Sequence, residues 1–123
     1  MKIIKLETFT KPYVSFVKLT IEDGTYGYGQ MSTYNADITN QIFHKQVAPW
    51  VLGKNWENFQ NLIDIVLEKE HKFPGSYLLR AIAGLDSALW DLKGKISHLP
   101  VVMLIGGETG SLRIYGSSMK RDI

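Results

Sequence analysis

From Ala81 to Lys95 the sequence reads AIAGLDSALWDLKGK, and this segment limits the fold more tightly than any other. Leu78, Ile82, Leu85, Leu89 and Leu92 recur at helical spacing and form one apolar stripe. Leu79, Ala83 and Trp90 form a second stripe beside it, and Ala81, Gly84 and Ala88 form a smooth strip of small residues. A helix from about Tyr77 to Lys95 with this surface is built to be covered. Glycine inside a helix costs about 1 kcal/mol relative to alanine, so Gly84 implies close approach of another backbone. Two covers fit the pattern. The helix is either the central core element of its own domain, or one of its faces docks a second domain.

The segment ahead of the helix is β-rich. Residues 2–9 alternate, with Ile4 and Leu6 on one face and Lys5 and Glu7 on the other. Residues 14–22 alternate as well, and Asp23-Gly24 supplies the positive φ of a tight turn into a third strand, Tyr26 to Gln30. Asp37 is placed to cap a helix towards Val47, ended by Pro49 and Gly53. Asn55 is placed to cap the next, on which Phe59, Leu62, Ile63, Val66 and Leu67 fit the amphipathic template. Phe73-Pro74-Gly75 then breaks the chain ahead of the long helix. The expected fold class is α+β: a three-stranded antiparallel β-meander followed by a bundle of about three helices. After Pro100 an apolar run ends at Gly106-Gly107, and Leu112 to Ser118 reads as one more strand, without a partner in the first sheet.

Composition narrows the function. The 123 residues are 45% apolar and 21% charged, which suits a single globular domain. With no cysteine, disulfides, thiolate metal sites and a cysteine nucleophile are excluded. A net charge of +2 with scattered Lys and Arg does not point to nucleic acid. No apolar stretch approaches a membrane span, the N-terminus lacks a signal-peptide apolar region, and a cytoplasmic location is the default.

The usual motifs of chemistry are missing. His44, His71 and His98 are far apart and outside two-ligand helical spacing, so no metal site is read here. Gly27-Tyr28-Gly29 has Ser32 where a dinucleotide fingerprint needs its third glycine, and it falls inside a strand, where close backbone approach explains it better. Asp86 and Asp91, five apart, do not share a helix face as an acid and base would. Asp91 pairs with Lys95 at i, i+4, or caps backbone amides of a docked partner. Two loops, Thr10 to Tyr13 and Met31 to Asn35, leave the same end of the meander. They are either solvated turns or flaps over a neighbouring site.

The order meander, helices, AIAGLDSALWDLKGK, Leu99-Pro100-Val101-Val102 and Leu104-Ile105-Gly106-Gly107 resembles the N-terminal capping domain of the enolase superfamily, in its mandelate racemase and muconate lactonising enzyme branch. Gly27-Tyr28-Gly29-Gln30 is similar to the family's third strand, where an acidic residue is commoner than Gln30. The resemblance implies a capping domain over residues 1–110 and, over 111–123, the start of the first strand of a (β/α) barrel. It implies that the barrel, not this chain, holds Mg²⁺ and the base that removes the proton α to a substrate carboxylate. The complete enzyme would be an acid-sugar dehydratase or a racemase/epimerase, and this chain would not be catalytic alone. Tyr13 and Tyr34, with Lys11 and Met31, are the implied substrate-contacting loop residues. Ala81, Gly84, Ala88 and Asp91 are the implied docking face, exposed when the barrel is absent. The implied partners are that barrel, a small carboxylate substrate and, in a homo-oligomer, further copies. The rival reading is a stand-alone, non-catalytic α+β module that dimerises or binds a partner through its smooth helix face.

Overall fold

The structure is a computed structural model that describes residues 1–116. Three strands, β1 (Ile3–Lys11), β2 (Val14–Ile21) and β3 (Tyr26–Gln30), pair antiparallel in the order β1-β2-β3. Helices α1 (Ala36–Ile42), α2 (Ala48–Val51), α3 (Phe59–Lys69), α4 (Ser76–Ser97) and the short α5 (Val101–Leu104) come after them. This is the expected α+β meander with helical cover. None of the helices among the described residues is long and apolar enough to cross a membrane.

Turn chemistry sets the hairpins. Gly24 takes φ +87°, and the Asp23 carboxylate accepts from the Thr25 amide at 2.8 Å. That hydrogen bond holds the Asp23 carboxyl below the usual carboxylate range. One detail of β1 departs from strict alternation. The register shifts between Ile3 and Lys5, so Ile3 and Leu6 face inward while Ile4 is exposed.

The first helix also runs further than expected. It continues through Pro49 to Val51, widening to a π-helix over Phe43–Val47. Pro49 has no N–H to donate, and a wider turn ahead of it takes up the missing hydrogen bond. Asn55 does cap the next segment, accepting from the Glu57 amide at 3.2 Å. The α4 helix ends on His98 in the left-handed region, with the Leu99 amide donating to the Gly94 carbonyl at 3.1 Å.

The core lies between the inner sheet face and α4. Ile3, Val17, Leu19 and Ile21 meet Leu85, Leu89 and Leu92, while Phe43, Val47 and Val66 close the far side. The β3 strand approaches α4 more closely than side chains would permit. A Cβ on Gly27 would strike the Ala88 carbonyl, and one on Gly29 would strike the Gly84 carbonyl. Two residues of strand advance about 6.6 Å and four of helix about 6 Å, so the two glycines match two successive helical turns.

This contact corrects the expected docking face. Ala81, Gly84 and Ala88 are buried against the chain's own sheet and are not open to a second domain. The smooth strip and the Gly-x-Gly strand are the two halves of one contact inside the domain. Asp91 is likewise engaged within the domain. Its carboxylate accepts from the Tyr28 amide at 2.7 Å and from Lys95 Nζ at 2.7 Å, while Lys95 also donates to the Tyr26 carbonyl at 3.1 Å. The pair satisfies backbone groups on the free edge of β3, which would otherwise invite another strand.

Beyond α5 the described chain has no regular structure, and Leu112, Ile114 and Tyr115 are almost fully exposed. A strand needs a ladder partner, and none reaches Leu112 to Gly116 among the described residues. Ser117 and Ser118, the end of the expected strand, lie outside the described residues.

Candidate functional site

The two loops leave one end of the sheet and face each other. Thr10, Lys11, Pro12 and Tyr13 line one side of a cleft of about 530 Å³, and Tyr34, Asn35 and Asp37 line the other. The first loop is tied by a 2.6 Å hydrogen bond between the Thr10 and Ser15 hydroxyls. The second is stitched to α4: Arg80 donates to the Ser32 hydroxyl at 2.8 Å, and Asn35 Nδ2 donates to the Tyr77 hydroxyl at 2.6 Å. Asn35 is left-handed, at φ 49°, a conformation costly for most residues other than glycine. That turn starts α1 immediately after the loop.

Of the four residues expected to meet substrate, the structure brings three to the cleft: Lys11, Tyr13 and Tyr34. Tyr13 is 66% exposed and Tyr34 50%. Met31 is the exception. It is 2% exposed, its amide donates to the Ser15 carbonyl at 2.8 Å, and its side chain fills the space above Gly84. Met31 continues the inward parity of Gly27 and Gly29, so it is a core residue and does not face the cleft. Asp37, which the sequence marks only as a helix cap, also lines the cleft. Its place one residue into α1, beside the loop, is the signal that could have assigned it there.

The cleft offers one cation, two phenols, an amide and a carboxylate. Groups of these kinds have the charge and hydrogen-bonding capacity to hold a small hydroxylated anion. Elsewhere the histidines serve structure: His44 Nε2 lies 2.7 Å from the Thr8 hydroxyl, and His71 Nδ1 2.7 Å from the Glu68 carbonyl. Among the described residues no three His, Asp or Glu side chains gather to hold a metal.

A second hollow, about 450 Å³, lies on the outward face of α4. Asp86, Ser87, Trp90 and Asp91 line it with Val101 and Ile105. Burial pushes the Asp86 carboxyl above its ordinary range, because the charged form is poorly solvated. Folding costs little at Asp86 where it is protonated in both states, and the penalty accrues as pH rises above about 4. Asp86→Asn should therefore stabilise the domain at pH 7 and lose that advantage near pH 3. Urea titrations at the two pH values check it, and an equal effect at both would show that solvation of this carboxyl is not involved.

Known proteins share this arrangement. The family described as "Mandelate racemase / muconate lactonizing enzyme, N-terminal domain" matches residues 3–106. A D-galactonate dehydratase family member of Paenibacillus sp. (strain JDR-2) is 37% identical over 107 residues, covering 85% of this chain and 26% of its own length. The crystal structure of a Roseobacter denitrificans protein, provisionally assigned as a racemase, superposes with a TM-score of 0.90 at 56% identity, over 100% of this chain and 34% of that one. The 3,6-anhydro-D-galactonate cycloisomerase of Zobellia galactanivorans gives a TM-score of 0.79 at 31% identity, over 87% of this chain and 32% of that one. The chain thus spans about a third or less of the length of these relatives. With its meander, its helical cover and its match over residues 3–106, the chain belongs to the mandelate racemase/muconate lactonizing enzyme family, as the N-terminal domain of such enzymes.

Proposed function

We propose that this domain caps the active site of a cytoplasmic, Mg²⁺-dependent enzyme that removes the proton α to a carboxylate, of the acid-sugar dehydratase or racemase/epimerase class. The observation that carries the reading is the cleft between the two loops, where Lys11, Tyr13 and Tyr34 converge. In this role Lys11 draws the substrate's anionic end. Tyr13 and Tyr34 hydrogen-bond its hydroxyls and shield the site from water. Relatives named for galactonate and anhydrogalactonate chemistry support an acid-sugar substrate.

The described residues do not fit a magnesium ion, since no three of their acidic or histidine side chains gather in one place. We assign the metal and the base to a C-terminal domain such as the longer relatives have room for. When bound there, the metal supplies charge stabilisation for the deprotonated substrate. This chain's own contribution is binding and water exclusion, and alone it is inactive.

The test joins residues 1–123 to the remaining part of the Roseobacter denitrificans relative. Solvent-deuterium exchange α to the carboxylate is monitored over a panel of acid sugars with Mg²⁺. Tyr13→Phe and Tyr34→Phe should each lower kcat/KM about tenfold, the worth of one hydrogen bond to a hydroxyl or anion, with melting temperature unchanged. Exchange catalysed by the 123 residues alone would refute the reading, as would full turnover by both variants.

A further inference from the structure

Residues 32–35 join the buried Met31 to the buried Ala36. Among the described residues the amides of Ser32, Thr33 and Asn35 donate to no backbone carbonyl, so side chains set the course of this loop. Two donors meet on the Ser32 hydroxyl oxygen, which accepts from the Tyr34 amide at 3.3 Å and from Arg80 Nη1 at 2.8 Å. A serine oxygen has two acceptor positions, and both are taken. At the other end of the loop Asn35 Nδ2 donates to the Tyr77 hydroxyl at 2.6 Å, while the Asn35 carbonyl accepts the Thr39 amide at 3.1 Å. Tyr34 lies between these two ties and lines the cleft. Both ties reach one anchor. Tyr77 and Arg80 share a face of α4 at i, i+3, and the Arg80 guanidinium lies 5.7 Å from the centre of the Tyr77 ring. Leu78, Ala81 and Ile82 beside them are buried, which fixes this stretch of helix to the core. Neither Tyr77 nor Arg80 lines the cleft. Among the described residues Arg80 has no carboxylate partner, so its charge is committed to the Ser32 hydroxyl.

We propose that Arg80 and Tyr77 are positioning residues: they latch the second loop to α4 and set where Tyr34 stands in the cleft, without touching what binds there. The proposal rests on the capping role proposed for the domain. The latch acts through populations. While both ties hold, every molecule presents Tyr34 to the cleft. Once one is lost, the loop visits other courses, and apparent affinity falls by the fraction of molecules that still present it. Substrate that does bind selects the latched course. The loss therefore falls on KM and not on kcat.

Two variants test it. Arg80→Met keeps the apolar stem and removes the donors. Tyr77→Phe deletes one oxygen and keeps the ring, so it serves should Arg80→Met fold poorly. Amide hydrogen exchange in the 123-residue chain reads the loop directly. Exchange is expected to quicken at least about fivefold at the Tyr34 amide in Arg80→Met and at the Thr39 amide in Tyr77→Phe, and to stay within about threefold at Leu89 in the core. In the fusion to the rest of the Roseobacter denitrificans relative, with the acid sugar it turns over best, each variant should raise KM about tenfold and leave kcat within about twofold. Adding Arg80→Met to Tyr34→Phe should cost no more than about twofold in kcat/KM beyond Tyr34→Phe alone, because both act on one interaction. Unchanged exchange at both loop amides in the folded variants would overturn the latch. Faster exchange with KM unmoved, or an equal loss from Arg80→Met with and without Tyr34→Phe, would overturn its role in placing Tyr34. Full turnover by Tyr34→Phe would instead overturn the capping reading, and faster exchange would then still establish the latch.

Discussion

Replacing Gly29 by alanine is expected to cost the domain at least about 3 kcal/mol, the upper end of what overpacking a core does. The reason is the nature of what the new methyl meets. It would run into the backbone carbonyl of Gly84 and lies close to the Ala88 amide, and neither can rotate away. The β3 strand must then lift from α4, opening the contact that buries Ala81, Gly84 and Ala88. A domain of this size has a total stability of about 5–15 kcal/mol, so the loss is a large share of it. In thermal unfolding monitored by circular dichroism the midpoint should fall by roughly 12 °C or more. Gly27→Ala should behave alike, because its methyl meets the Ala88 carbonyl. Gly110→Ala, with nothing near its added Cβ, should be silent. Gly84→Ala makes a useful contrast. Its methyl meets the Met31 side chain, which is flexible, and alanine improves helix propensity by about 1 kcal/mol, so its cost should be smaller. A Gly29→Ala midpoint within about 3 °C of the parent would show that the strand and helix are not in close contact.

Glu70→Ala should lower stability by about 2 kcal/mol, through hydrogen bonds and not through volume. Glu70 ends α3, is nearly buried, and accepts from Trp50 Nε1 at 2.8 Å and from Gln46 Nε2 at 2.9 Å. These bonds tie the π-helical segment and α2 to the end of α3. Truncation leaves two part-buried donors without an acceptor, and each such loss costs about 1–3 kcal/mol when water cannot replace it. Trp50 is only partly buried, so the lower part of that range applies. Glu70→Gln keeps one acceptor oxygen and should lose about half as much. Urea unfolding of the two variants checks the order. Equal stability of Glu70→Ala and the parent would mean that water takes over both donors.

Much of the fold is legible in local residue patterns. The Asp23-Gly24 turn, the Asn55 cap, the Phe73-Pro74-Gly75 break and the α4 stripe of Leu78, Ile82, Leu85, Leu89 and Leu92 all appear where periodicity and turn chemistry place them. So do the two loops at one end of the meander, because an antiparallel meander returns both to that end. The departures share a cause, in that each depends on residues outside the local pattern. Pro49 has the local marks of a stop, yet a π-turn carries the helix past it, and such widening has no local sequence mark. Met31 has the local marks of a loop residue because Ser32-Thr33 comes next, but inward parity from Gly27 and Gly29 extends one step beyond the strand. Asp91 fits either an ion pair or an amide cap by its spacing, and it is both, with the amide coming from Tyr28 of its own domain.

By itself, the sequence determined which elements form and which of their faces need cover, since 2.0 and 3.6 periodicities, caps and turn glycines act within a few residues. It also carried the family resemblance, through Ala81 to Lys95 with Pro100 and Gly106-Gly107. Only the tertiary structure decided what covers each face of that helix. A helix with apolar or small residues on several sides carries no record of its neighbours' identity. The choice depends on spacing matched across the fold, two strand residues against four helical ones, which brings Gly27 and Gly29 onto Ala88 and Gly84. That contact takes up the smooth strip and leaves the face of Leu79, Ala83, Asp86 and Trp90 turned outward.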